Sequence, residues 1–107
     1  GIEAREASGK PMLVDVGAEE WCIACRELDE ITFANAEVIK ELERFVVVKL
    51  DEADEAYPEI KKHFDEKGYP IAGMPSLFFH NSEGEIVEVV NQFIPPEKML
   101  EKLKAVK

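Results

Sequence analysis

The chain has 107 residues, with 23 acidic against 13 basic side chains and a formal net charge of −10. That length fits one compact domain, and a hydrophobic share of 46% lets it bury a core without disulfide or metal staples. The negative charge argues against nucleic acid and anionic membrane surfaces as partners, and no apolar run approaches the ~20 residues needed to span a bilayer.

Gly1-Ile2-Glu3 has neither the basic flank nor the apolar stretch of a secretory leader. It reads as the start of a domain excised from a longer chain, with residues 1–107 forming that single domain. Residues 2–8 have the pattern of a short helix, stopped by Gly9 and Pro11. Met12-Leu13-Val14-Asp15-Val16 is a short, mostly apolar run, as expected of a buried central strand. Gly17 to Glu20 form a loop, and a helix is expected from Cys22 to about Ile31, with Leu28 and Ile31 on one face.

Asn35 is a good N-cap for a second helix whose apolar positions are Val38, Ile39, Leu42 and Phe45. Phe45 to Leu50 read as a second buried strand, and Asp54 to Lys67 as a helix carrying Ile60 and Phe64, closed by Gly68. A loop rich in Gly and Pro follows from Gly68 to Pro75. Ser76–His80 and Glu85–Val90 are strands around a hairpin turn at Asn81-Ser82-Glu83-Gly84. Pro95-Pro96 opens a last helix with Met99, Leu100 and Leu103 on its inner face. Strands that first alternate with helices and then form a hairpin predict an α/β fold, a mixed sheet with helices on both faces.

The only two cysteines stand three residues apart in Trp21-Cys22-Ile23-Ala24-Cys25. A disulfide closing so short a loop adds little stability. Its natural use is to store two electrons and pass them on by thiol–disulfide exchange. Cys22 falls where a loop meets a helix N-terminus, a place that favours the reactive thiolate. It is the expected attacker, and Cys25, one turn further in, the expected more buried resolver. The bland readings are two ordinary cysteines or half of a zinc site. Zinc needs two more ligands, and the only histidines are His63 on a charged helix and His80 at a strand end; no metal or other cofactor is expected. Trp21 fits either a core residue or a rim that shields the thiols and offers a docking surface.

Val14-Asp15-Val16 before Trp21-Cys22-x-x-Cys25, with Gly73-Met74-Pro75-Ser76 about fifty residues later, resembles the thioredoxin superfamily. Gly9-Lys10-Pro11, the stretch from Trp21 to Leu28 with Ala24 where thioredoxins carry Pro, and Thr32-Phe33-Ala34-Asn35 with Val38 bring the likeness closest to the C-terminal thioredoxin-like domain of the DsbD family of transmembrane thiol:disulfide interchange proteins. The resemblance covers nearly the whole chain. It implies a thioredoxin-like fold, and a Pro75 that is cis and faces the disulfide. The Met74 backbone would then be free to pair with an extended substrate segment. It also implies that Asp15, a costly carboxylate inside an apolar strand, moves the proton of the inner cysteine.

Two departures stand out. The stretch from Asp15 to Trp21 is one residue longer than is usual in the family, so Asp15 keeps its place only if the Ala18–Glu20 loop absorbs the extra residue. Gln92-Phe93 stands where the family has Gly, which would reshape the partner groove.

Glu19, Glu20 and Asp29 surround the cysteines, with Arg26 the one nearby cation. Negative neighbours disfavour a thiolate, which tilts the pair toward a reductant. The resulting expectation is a protein-disulfide reductase, monomeric and needing no cofactor. The resemblance implies a periplasmic or other extracytoplasmic setting and electron transport from a membrane-embedded dithiol to partner thiol proteins, with cytochrome c biogenesis among the processes served. The alternatives are a free-standing thioredoxin-like reductase, cytoplasmic or periplasmic, and a thioredoxin-fold binding module with an inert disulfide.

Overall fold

Strand β1 (Met12–Gly17) lies at the centre of the sheet, as its apolar run requires. A computed structural model describes residues 9–107; the helix expected over residues 2–8 lies outside the described residues. The sheet order is β2-β1-β3-β4, where β2 is Val46–Asp51, β3 is Ser76–His80 and β4 is Ile86–Val90. β1 pairs parallel with β2 and antiparallel with β3, and β3 pairs antiparallel with β4. Among the described residues β2 is at the sheet edge, and it is not the fully buried strand its sequence implies. It alternates instead: Val48 and Leu50 face inward while Val47 and Lys49 are exposed.

Helices α1 (Ile23–Glu27), α2 (Ala36–Leu42), α3 (Tyr57–Glu66) and α4 (Pro96–Ala105) cover both faces. On one face Leu13, Leu77, Phe79 and Val90 pack against Leu28, Val38, Met99 and Leu103. On the other, Met12, Val14, Val16 and Phe78 pack against Phe64 of α3, with the Phe64 and Phe78 rings stacked at 4.2 Å. The mixed sheet between two helical layers is the expected α/β architecture.

The first helix departs from expectation in its second half. α1 runs into a π-helical turn over Leu28–Thr32, closed by the Phe33 N–H donating to the Leu28 carbonyl at 2.7 Å. The wider turn buries Leu28 and Thr32 and swings Ile31 outward to 48% exposure, so Leu28 and Ile31 do not share an inner face. The Thr32 hydroxyl then donates to the Ile94 carbonyl at 2.6 Å, tying the turn to the segment before α4. α2 starts as expected: the Asn35 side chain accepts from the N–H groups of Glu37 and Val38 at 2.9 and 3.2 Å. Ile39, however, points to solvent while Val38 is buried. The hairpin closes with Gly84 at φ +85°, where a residue with a Cβ would be strained, and with Asn81 Oδ1 accepting from the Glu83 and Glu85 amides.

Candidate active site

Cys22 and Cys25 form a disulfide at the start of α1, with Cα atoms 5.3 Å apart. Cys22 is the N-cap of that helix, and its Sγ accepts the Cys25 N–H at 3.1 Å. The helix begins here because the Ala18 carbonyl turns the chain, accepting from the N–H groups of Trp21 and Cys22 at 3.3 and 2.9 Å. β1 keeps a regular register through Asp15 to Gly17, and the chain turns into the helix only after it.

As a result Asp15 and Cys25 line one open cleft of about 240 Å³, together with Gly17, Asp29, Lys49 and Asp51. Asp15 is on the same strand face as Leu13 and Gly17, as strand alternation demands. Gly17 lies directly under the inner sulfur: a Cβ there would sit 3.2 Å from Cys25 Sγ. Burial pushes the Asp15 carboxyl up to about 6, against an opposing pull from Lys49 and a smaller push from Asp29. Lys49 is the register partner of Asp15 on β2, and its ammonium pairs with Asp29 at 2.6 Å.

The relative burial of the two cysteines is the reverse of the sequence expectation. Cys22 is 4% exposed, whereas Cys25 is half-buried. The cause is the cleft, which opens beside Cys25 and gives it a water-facing side. Arg26 lines the same cleft as Cys25, and its Nε and Nη2 donate to the carbonyls of Glu19 and Glu20, both at 2.9 Å. Trp21 is a rim residue and not a core residue, 58% exposed, with its indole N–H donating to Glu52 at 2.5 Å.

The Met74–Pro75 peptide bond is cis. Ser76 pairs with Val16, which places Pro75 at the same end of the sheet as Gly17 and the disulfide. Met74 and Pro75 do not line the Asp15–Cys25 cleft; Met74 packs toward the opposite face, against the Phe64 and Phe78 cluster. The loop is anchored by Ser76 Oγ, which donates to the Gly73 carbonyl at 2.6 Å and accepts from Asn91 Nδ2 at 2.9 Å. Gln92, next to Asn91, is exposed. His63 and His80 both pack against the Phe64 ring, at 5.5 and 6.0 Å, on the face away from Cys25.

Sequence reasoning singled out the cysteines, Asp15, Trp21, Met74 and Pro75. It did not single out Gly17, Lys49, Asp51 or Glu52 as parts of the site. Lys49 was within reach of sequence reasoning, because the pairing of two parallel strands sets it beside Asp15. The same pairing sets Asp51 beside Gly17, whereas the approach of Gly17 to Cys25 and of Glu52 to Trp21 joins segments that no spacing rule brings together.

A thioredoxin-like domain family model matches residues 2–107. Among curated proteins, the thiol:disulfide interchange protein DsbD of Colwellia psychrerythraea is 34% identical over 88 residues, 78% of this chain and 13% of that protein. DsbD of Pseudoalteromonas atlantica is 31% identical over 86 residues, 78% of this chain and 14% of that protein. The chain thus spans about a seventh of the length of these relatives. Among solved structures, the DsbD C-terminal domain of Neisseria meningitidis in its reduced form superposes with a TM-score of 0.73 at 25% identity, covering 99% of this chain and 94% of that one. A thioredoxin from Thermus thermophilus shares the fold at a TM-score of 0.75 and 20% identity, covering 96% of this chain and 78% of that one. With a family match over residues 2–107 and a bonded Cys22–Cys25 pair at a helix start, the chain belongs to the thioredoxin-like domain family.

Proposed function

We propose that this domain works as a reductant, an electron relay that takes electrons from a donor dithiol and passes them to disulfides of partner proteins. The observation that carries the reading is the shared cleft of Cys25 and Asp15 behind a helix-capping Cys22. In the reduced domain the Cys22 thiolate is stabilised by the Cys25 N–H and attacks one sulfur of a substrate disulfide. A Cys22–substrate disulfide forms, and the second substrate sulfur leaves as a thiolate. Asp15 takes the proton of Cys25, a task suited to a carboxyl pushed up to about 6. The Cys25 thiolate then attacks Cys22 Sγ, releasing the reduced substrate and leaving the Cys22–Cys25 disulfide for the donor to reduce.

Cys22 keeps the role of attacker on its capping position and not on exposure, since Cys25 has more contact with water. Trp21 forms the rim, and the Met74–Pro75 loop at the same sheet end serves as the ledge along which an extended substrate segment docks. The likeness to DsbD supports an extracytoplasmic setting, in which the domain is one part of a longer protein and its donor is a membrane-embedded dithiol. Among the described residues no helix is long and apolar enough to cross a membrane, so such spans would lie elsewhere in the parent protein. Apolar spans encoded upstream of Gly1 support this setting; a reading frame without them points to a free-standing reductase.

The activity test is insulin reduction with the Cys22→Ser and Cys25→Ser variants. Both should lose turnover, and only Cys25→Ser should accumulate a mixed disulfide with substrate. The direction of electron flow is read from the reduction potential. A value near about −270 mV supports the reductant, and one near about −120 mV overturns it. Partner binding by a wild type that shows no turnover would instead indicate a binding module with an inert disulfide.

A further inference from the structure

The loop leading from β1 to the cysteines is held by groups that the exchange chemistry does not use. Asp51, the last residue of β2, lies opposite Gly17 in the parallel register. Its Oδ2 accepts the Glu19 N–H at 2.7 Å and its Oδ1 accepts the Ala53 N–H at 2.9 Å. These two bonds also hold the Asp51 carboxyl below the usual aspartate range. One residue on, the Glu52 N–H donates to the Gly17 carbonyl at 2.9 Å, and the Glu52 carboxylate accepts from the Trp21 indole. Arg26 grips the carbonyls of Glu19 and Glu20 from the helix side. The peptide groups of the loop are therefore pinned from two directions, and the Cys22 N–H is bonded to Ala18 within that same loop.

We propose that Asp51 is a positioning residue of the redox centre: its carboxylate, through the Glu19 amide, fixes the Gly17–Trp21 loop and with it the rim indole and the capping sulfur of Cys22. An untethered loop of this kind would sample several conformations, and ordering it consumes conformational entropy. The carboxylate is suited to the task because it accepts two amides at once, one from each loop. This inference rests on the reading of Cys22–Cys25 as the working disulfide.

Asp54 supplies the control. It lines the same cleft and accepts the Asp51 N–H at 2.8 Å, but that bond stays within its own loop and leaves Glu19 untouched. Asp51→Ala and Asp54→Ala thus each remove one negative charge from the cleft and one carboxylate from the β2–α3 loop. The readouts are the emission of Trp21, the only tryptophan, and the equilibrium constant of the Cys22–Cys25 pair against dithiothreitol. Asp51→Ala should red-shift the emission, raise its quenching by iodide, and move the equilibrium constant about tenfold from its value in Asp54→Ala, the scale of a lost bond to a charged group. Asp51→Asn, which keeps one carbonyl acceptor, should fall between Asp51→Ala and the wild type. Emission and an equilibrium constant in Asp51→Ala unchanged from wild type would overturn the proposal, as would an Asp51→Ala that lowers only the melting temperature. Neither readout needs turnover, so a wild type that fails to reduce insulin would sink the reductase reading while leaving this test decisive.

Discussion

Gly17 and Cys25 meet so closely that the glycine's missing side chain defines the floor of the redox site. A Cβ at Gly17 would stand 3.2 Å from Cys25 Sγ and 3.5 Å from its Cβ. The inner sulfur therefore rests on bare backbone, one strand position pair beyond Asp15.

Gly17→Ala tests this contact directly. The backbone there is not in the left-handed region, so the methyl group acts through crowding alone. Overpacking of this kind costs about 1–3 kcal/mol, and urea unfolding of the oxidised variant should show a loss in that range. Resolution of the mixed disulfide should also slow, because Cys25 is pushed off its line of attack on Cys22. A variant as stable and as fast as the wild type would show that Cys25 does not need the glycine floor.

Asp15 ties stability to pH. A carboxyl raised from 3.8 to about 6 holds its proton more tightly in the folded state than in the unfolded one. Its stabilising share is complete below the unfolded value and is lost as pH rises through the folded value. Asp15→Asn should therefore gain stability relative to wild type as pH rises, from near zero at about pH 3.5 to roughly 3 kcal/mol by about pH 7.5. The same variant should slow the resolving step at neutral pH. A stability difference that stays flat across this range would remove Asp15 as a buried, titrating group.

Lys49 sets where that titration falls. Its ammonium lowers the Asp15 value, working against burial. Lys49→Met should move the midpoint of the Asp15-dependent stability curve to higher pH, with the pH dependence of the resolving step moving alongside. A midpoint that stays put or shifts to lower pH would show that the Lys49 ammonium does not hold the Asp15 value down.

Thr32 holds the π-helical turn to the segment before α4. Its buried hydroxyl donates to the Ile94 carbonyl across 62 residues of sequence. Thr32→Val keeps the shape and leaves that carbonyl unpaired, which costs about 1–3 kcal/mol. Thermal unfolding should show a fall of several degrees, on the order of 4–8 °C per kcal/mol for a domain this size. An unchanged melting temperature would show that water replaces the hydroxyl.

Much of this arrangement was legible before any coordinates. The apolar run of β1, the Asn35 cap, the hairpin turn at Asn81–Gly84 and the Cys22–Cys25 pair are local signals, each carried by a few adjacent residues. Where the reading failed, the deciding contact was distant. Ile31 turned outward because Phe33 bonds to Leu28 over a wider turn while Thr32 reaches Ile94. Val47 and Lys49 are exposed on β2, the edge strand among the described residues, a place the strand's own composition does not reveal.

The chemistry is written in the chain itself: a two-electron dithiol, its place at a helix start, a carboxylate committed to an apolar strand, and an acidic rim. These follow from residue types and short spacings, which act through the backbone within a turn or two. Tertiary structure alone decided how that chemistry is presented. It pinned the loop before Trp21 on Asp51 and set Asp15 and Cys25 in one cleft. It also gave Cys25, and not Cys22, the side that faces water, because the cleft is assembled from β1, α1, β2 and the loops between them. Burial at such a junction depends on how separate segments fit together, and local sequence carries no record of that fit.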